Sequence, residues 1–161
     1  MIDVVDEEPD LLRLMAERLG PIVVPQPVLM EVPTITVADA TRFGLTIHIP
    51  TIEQSAESAP LRSRLSATDM LCLIVARDLG LTCVTSDRQL VARCKTDRVE
   101  VIPALEPLLL LVRGGAIEAE RCRAMVRRMR ARNGYLTTQV VAQFETRLRT
   151  AARRARSDPR S

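Results

Sequence analysis

Aromatic side chains are almost missing from these 161 residues: Phe43, Tyr135 and Phe144 make up the 2%, and there is no tryptophan. Surfaces that read single strands by stacking need several exposed rings, so a stacking platform is excluded and the core has to be aliphatic. His48 is the only histidine, and the four cysteines (Cys72, Cys83, Cys94, Cys122) form no Cys-x-x-Cys pair. Zinc sites built on Cys/His clusters are thereby disfavoured, as is Ser-His-Asp or Cys-His catalysis. His48 alternates within Leu45-Thr-Ile-His-Ile49, a strand pattern, and is read as structural. Only Lys95 among the 23 basic residues is a lysine, which leaves one candidate for lysine chemistry. Apolar runs such as 108–112 fall far short of the roughly 20 residues of a membrane span. With no basic-then-apolar leader, the expectation is a reduced, cytoplasmic location and no membrane partner.

What the chain does have suits one folded unit. It is about one domain long, and 47% hydrophobic with 27% charged residues is a globular composition rather than a disordered or fibrous one. The net charge of +3 conceals a division. Residues 1–112 carry 10 Lys+Arg against 16 Asp+Glu, whereas residues 113–161 carry 13 Arg against 4 acids. An acidic body beside a basic C-terminal third suggests cation chemistry in the first and phosphate attraction in the second, although a solvated Arg-rich helix face would give the same count.

Apolar periodicity and capping residues order the elements. Pro9, the set Leu11, Leu12, Met15 and Leu19, and a stop at Gly20 predict a short amphipathic helix. Residues 22–24 read as a buried strand ended by Pro25, residues 27–32 as a short helix, and Thr36-x-x-Asp39 as a capping box opening a helix near 37–43. A strand over 45–49 closes at Pro50, and the stretch containing Ser55, Ser58, Pro60 and Ser63 reads as loop. Ser66-Ala-Thr-Asp69 is a second capping box, before an apolar helix over 70–79 that stops at Gly80. A strand over 81–84, a helix over 87–95 capped by Ser86, and a strand over 99–102 follow. This alternation predicts an α/β fold in three layers, with a central parallel sheet of four or five strands. Beyond residue 104 the pattern is helical only: about 104–113, 117–131 and, after Asn133-Gly134, 137–153. Cys122, Met125, Val126 and Met129 share one face of the middle helix, with arginines over much of the rest; Val140, Val141, Phe144 and Leu148 share a face of the last. The expected organisation is an α/β domain over 1–112, a helical extension over 113–152 and a basic flexible tail over 153–161.

In a parallel α/β sheet, ligands lie beyond the carboxyl ends of the strands. Asp69 opens the helix that follows strand 45–49, and Asp87 comes just after strand 81–84, so both belong on that rim. Glu31, one turn past strand 22–24, and Asp6, after a candidate strand over 2–5, are placed at the same crevice. Carboxylates gathered on one rim repel one another unless a cation holds them, and hard oxygen ligands suit Mg²⁺ or Mn²⁺. A water on such an ion can attack a phosphodiester. Singly, each acid has an ordinary structural use: Asp69 completes a capping box, Asp87 suits the positive end of a helix, and Glu31 reads as a surface residue. Their expected convergence is what indicates a site.

Two stretches also resemble a known family. Leu65-Ser-Ala-Thr-Asp-Met-Leu-Cys-Leu-Ile-Val-Ala-Arg-Asp-Leu-Gly80, followed by Cys83-Val-Thr-Ser-Asp-Arg-Gln-Leu90, is similar to the second half of a PIN domain. Ile22-Val-Val-Pro-Gln-Pro-Val-Leu-Met-Glu31 resembles that family's second strand and the helix after it. The resemblance, over roughly residues 20–112, implies a Mg²⁺- or Mn²⁺-dependent endoribonuclease such as the toxin of a toxin–antitoxin pair. It makes Glu31, Asp69 and Asp87 catalytic metal ligands, with Asp6 as a further ligand and Thr85 and Ser86 as supporting hydroxyls. RNA is then the substrate, its backbone drawn by Arg121, Arg127, Arg128 and Arg130. An antitoxin protein and a second copy of the chain are the candidate protein partners. The helices after 104 look like the extension of a stand-alone subgroup, which favours the toxin role less. One departure concerns the opening. The family's Val-Asp-x-Asn/Ser is replaced by Val4-Val5-Asp6-Glu7-Glu8, closer to Glu31 than is usual. Either this is a compact variant using Asp6, or the first strand lies upstream of Met1. The second case leads to the alternative of a PIN-fold nucleic-acid- or partner-binding protein with an incomplete metal site and no nuclease activity.

The same opening resembles a response-regulator receiver domain, another parallel α/β fold with an acidic Mg²⁺ pocket. That fold needs an Asp after its third strand and a Lys after its fifth. No Asp occurs between Asp39 and Asp69, and Lys95 falls within a predicted helix, so the nuclease reading is preferred.

Overall fold

The computed structural model describes residues 8–32, 35–59, 65–132 and 136–157. In chain order the elements are α1 (Asp10–Leu19), β1 (Ile22–Pro25), α2 (Gln26–Met30), α3 (Val37–Arg42), β2 (Leu45–His48), α4 (Ile52–Ser58), α5 (Ala67–Asp78), β3 (Cys83–Val84), α6 (Arg88–Thr96), β4 (Val101–Ile102), α7 (Glu106–Arg113), α8 (Ala119–Arg132) and α9 (Thr138–Ser157). They form two compact units: Ile22–Ala104, and the described residues of Met1–Pro21 together with those of Leu105–Ser161.

The α/β unit is built on parallel strands joined through helices. β1 pairs with β2, Ile22 opposite Leu45 through Pro25 opposite His48, and β3 pairs with β4, Cys83 opposite Val101. Among the described residues the strands make two separate two-stranded ladders, where one sheet of four or five strands is predicted; the candidate strand over 2–5 lies outside the described residues. The runs 81–84 and 99–102 yield only two strand residues each, for a specific reason. The Leu81 N–H bonds back to Ala76 O (2.8 Å) and the Val99 N–H to Cys94 O (2.8 Å), so the first residue of each run closes the preceding helix instead of entering a ladder.

Helix α5 is the centre of this unit. Met70, Leu71, Leu73, Ile74, Val75 and Ala76 are all buried, and the helix packs against α2, α4, α6, β1 and β3. A helix apolar nearly all round is stable only when covered on several sides. It ends as Gly80 predicts: Gly80 takes φ +63°, its N–H bonds Arg77 O (3.3 Å), and the Leu81 bond completes the reverse turn. A Cβ there would meet nothing within 4 Å, so backbone conformation alone sets the penalty. Gly80→Ala is expected to cost about 1 kcal/mol, read as a lowered urea midpoint with an unchanged slope.

Three local expectations are corrected. Residues 52–58, read as loop, are helix α4: Thr51 Oγ1 accepts from the Gln54 N–H and Gln54 Oε1 accepts from the Thr51 N–H (3.2 Å each), a full capping box amid serine-rich sequence. Ser86 does not cap α6. Asp87 does, and Ser86 Oγ accepts from the Ala104 N–H instead (3.1 Å). Helix α9 continues past residue 153 to Ser157, with Ala151 buried against the unit; residues 158–161 lie outside the described residues.

In the helical unit, α7 is the centre. Leu108, Leu109, Leu111 and Val112 are buried where α7 meets α1, α8 and α9. The predicted face of α8 is buried as a set, Cys122, Met125, Val126 and Met129. On α9, Phe144 and Leu148 are buried, whereas Val140 is 36% exposed and Val141 half-buried, so that apolar face begins later than its sequence pattern suggests. No helix of the described residues is long and apolar enough to cross a membrane.

Candidate functional site

Asp69 stands half-buried in the first turn of α5. Ser66 Oγ accepts from the Asp69 N–H (3.1 Å) and donates to Asp69 Oδ2 (2.7 Å), so one hydroxyl both caps the helix and fixes the carboxylate. Asp87 caps α6 with Oδ1 alone, which accepts from the N–H groups of Gln89 (2.9 Å) and Leu90 (2.8 Å). Thr85 Oγ1 accepts from the Asp87 N–H (3.2 Å). With Ser86 tied to Ala104, both hydroxyls hold the β3–α6 turn in place. Glu31 follows α2, exposed. Among the described residues, the Glu31 carboxylate, Asp69 Oδ1 and Asp87 Oδ2 have no hydrogen bond, and none of the three acids has an ion-pair partner. Asp6 lies outside the described residues.

Cys72 reports which of these acids come together. Its thiol, one turn along α5 from Asp69, is pushed up to about 12, first by burial and then by the charges of Asp69 and Glu31. Two carboxylates from separate elements therefore act on one sulfur. The field extends to β3, where burial, Cys94 and more weakly Cys72 and Asp69 push Cys83 up to about 12 as well. Thiols held that high stay protonated near neutrality and are poor nucleophiles and poor ligands. The available donors are hard carboxylate oxygens, a set that fits Mg²⁺ or Mn²⁺ better than a soft ion. Among the described residues, no group of three or more His, Cys, Asp or Glu side chains is gathered closely enough to hold an ion. Glu31 and Asp69 both act on the Cys72 thiol, and Asp87 caps α6 just beyond the carboxyl end of β3.

The arginines are placed less uniformly than their helix suggests. Arg121 and Arg128 both hold Glu8, through its Oε2 (2.8 Å) and Oε1 (2.8 Å). Arg130 donates to Thr138 Oγ1 (3.0 Å), and Arg127 has no ion-pair partner among the described residues. Nothing in the local sequence marks Glu8 as the partner of α8.

His48 joins a polar chain linking β2, α4 and α5, in keeping with a structural reading. The amide of Gln54 donates to Asp78 Oδ2 (3.0 Å), which turns its carbonyl toward the Thr51 N–H and His48 Nε2 (2.9 Å); Nε2 therefore carries the proton. Arg77 donates to Asp78 Oδ1 (2.9 Å) and grips both oxygens of Glu57 (2.6 and 2.9 Å). The Arg77 hydrogen bond holds Glu57 below the usual carboxylate range, and bonds from Gln54 and then Arg77 do the same for Asp78. Carboxyls depressed in the fold contribute stability above their unfolded values near about 4 and lose it as pH falls through the lower folded values. These groups are solvent-exposed, so the contribution is small. The Tm deficit of Arg77→Gln, present at neutral pH, is expected to narrow as pH falls below about 4, which a Tm series against pH checks.

A family model described as a PIN domain matches residues 7–150, and no curated protein or solved structure gives a significant match.

Proposed function

Because the chain belongs to the PIN-domain family, whose members are generally nucleases, we propose that it is a divalent-metal-dependent endoribonuclease. One observation carries this reading: the charges of Glu31 and Asp69 bear on the same thiol, yet neither acid has a cationic partner among the described residues. Carboxylates without a cationic partner favour a cation where their fields overlap. Glu31, Asp69 and Asp87, with Asp6, are the proposed ligands of Mg²⁺ or Mn²⁺. When bound, such an ion stabilises charge developing on a phosphodiester and lowers the pKa of a water at the site. The protein's part is to fix the oxygens beforehand. Ser66 fixes Asp69 and leaves Oδ1 available; the cap bonds fix Asp87 by one oxygen and leave Oδ2 available; the Thr85 and Ser86 hydroxyls steady the turn that carries Asp87.

A specific observation favours a second reading, a PIN-fold nucleic-acid- or partner-binding protein without nuclease activity: no three candidate ligands are gathered among the described residues. End-labelled single-stranded RNA incubated with the protein separates the two. Internal cleavage with Mn²⁺, abolished by EDTA, is the expected result. Binding without cleavage at any Mn²⁺ or Mg²⁺ concentration would establish the second reading.

A further inference from the structure

Two sets of arginines stand out in the helical unit. Arg121 and Arg128 hold Glu8, Arg123 bonds both oxygens of Glu145 (2.9 and 3.2 Å) and also meets Glu120, and Arg147 meets Glu106. Those cations are committed to the fold. Arg127, Arg130 and Arg149 instead line one open groove of about 730 Å³ between α8 and α9, together with Ala131, Val141 and Glu145. Glu145 offsets little of their charge, since both its oxygens face Arg123. Arg130 has a neutral partner in Thr138, and Arg127 and Arg149 have no ion-pair partner among the described residues. Arg127 and Arg130 lie three apart on α8, while Val141, Glu145 and Arg149 follow one another at intervals of four on α9, so each row runs along one helix face.

We propose that this groove is a phosphate-backbone site for single-stranded RNA; the choice of nucleic acid rests on the nuclease reading above. Guanidinium groups match phosphate oxygens in planar pairs, and three of them along one groove offer successive contacts to a polyanion. Among the described residues no aromatic ring lines the groove, so these residues offer phosphate contacts rather than stacking or base reading. An acidic amphipathic peptide fits less well. It would need apolar pockets for its anchor residues, and among the described residues only Ala131, Val141 and the stems of the arginines offer apolar surface. Arg149 is the member the sequence does not single out.

The test is anisotropy of a fluorescein-labelled oligouridylate, titrated with the full chain in EDTA at several salt concentrations so that cleavage does not intervene. Each phosphate contact to a single strand contributes about 0.7 to the salt slope, so replacing Arg127, Arg130 and Arg149 by Ala should lower the slope by about 2 and weaken binding about tenfold or more at low salt. A control with the same loss of charge, Arg13, Arg18 and Arg113 to Ala, all exposed and outside the groove, should stay within about twofold. Circular dichroism verifies folding, and Arg149→Ala alone, at an exposed position, should still lower the slope by about 0.7. Equal binding by the groove variant and the control overturns the proposal. So does a wild type that binds polyglutamate and not RNA, which would give the groove to an acidic protein partner. The cleavage reading fails separately: RNA binding that persists without Mn²⁺-dependent cleavage condemns the metal assignment and leaves the groove standing.

Discussion

Asp69→Asn is expected to lower the proposed Mn²⁺-dependent RNA cleavage by about 100-fold or more, and to leave thermal stability within about 1 kcal/mol of wild type. The two effects separate because Asp69 has two duties. One is local: its carboxylate takes a hydrogen bond from Ser66, and an amide oxygen of the same shape can take that bond too. The other depends on charge, which Asn removes. Asp87→Asn makes the same separation at the second helix, since Asn is as good an N-cap as Asp and can still receive the Gln89 and Leu90 N–H bonds. Asp87→Ala should lose both duties, the cap costing about 1 kcal/mol besides the activity. The measurement is initial cleavage rate paired with a urea melt for each variant. Cleavage that persists in both Asn variants would sink the assignment of these acids as metal ligands.

Leu73→Ala is expected to destabilise the protein by about 2–5 kcal/mol, the usual range for emptying a fully buried leucine position. Leu73 is 0% exposed and belongs to the core of Leu65, Met70, Ile74, Cys83, Leu90, Cys94 and Val99. The helix carrying it touches three other helices and strands of both ladders, so little can collapse into the space left behind. Measured against a total stability of about 5–15 kcal/mol, the loss is large. Leu79→Ala supplies the comparison: that side chain is 48% exposed at the end of the same helix, and its truncation should cost no more than about 0.5 kcal/mol. If urea melts give the two variants equal midpoints, α5 is not the centre of this unit's stability.

The legible parts of the fold were those written locally. Thr36 and Asp39 form the predicted reciprocal cap, with both bonds at 3.1 Å, and Ser66 and Gly80 start and stop α5 as their types require. Thr51 and Gln54 carry the same pattern, yet the surrounding serines gave the segment the composition of a loop; spacing was the better guide than composition. The strands are shorter than the alternation predicts because Leu81 and Val99, apolar and strand-like, close helices. That choice depends on where each helix ends in space, which alternation along the chain does not encode.

At the candidate site, the residue types were legible and the pairings were not. The sequence by itself determined an aliphatic α/β chain of the PIN family, with acids after its strands and an arginine-rich C-terminal third, because composition, caps and motif spacing are properties of neighbouring residues. The tertiary structure decided that Glu31 and Asp69 act on one thiol, that Glu8 takes up Arg121 and Arg128, and that Arg127, Arg130 and Arg149 share a groove. Each of those facts joins segments far apart in the chain. Only packing brings such charges within the few ångströms at which they attract, repel or leave one another free to bind something else.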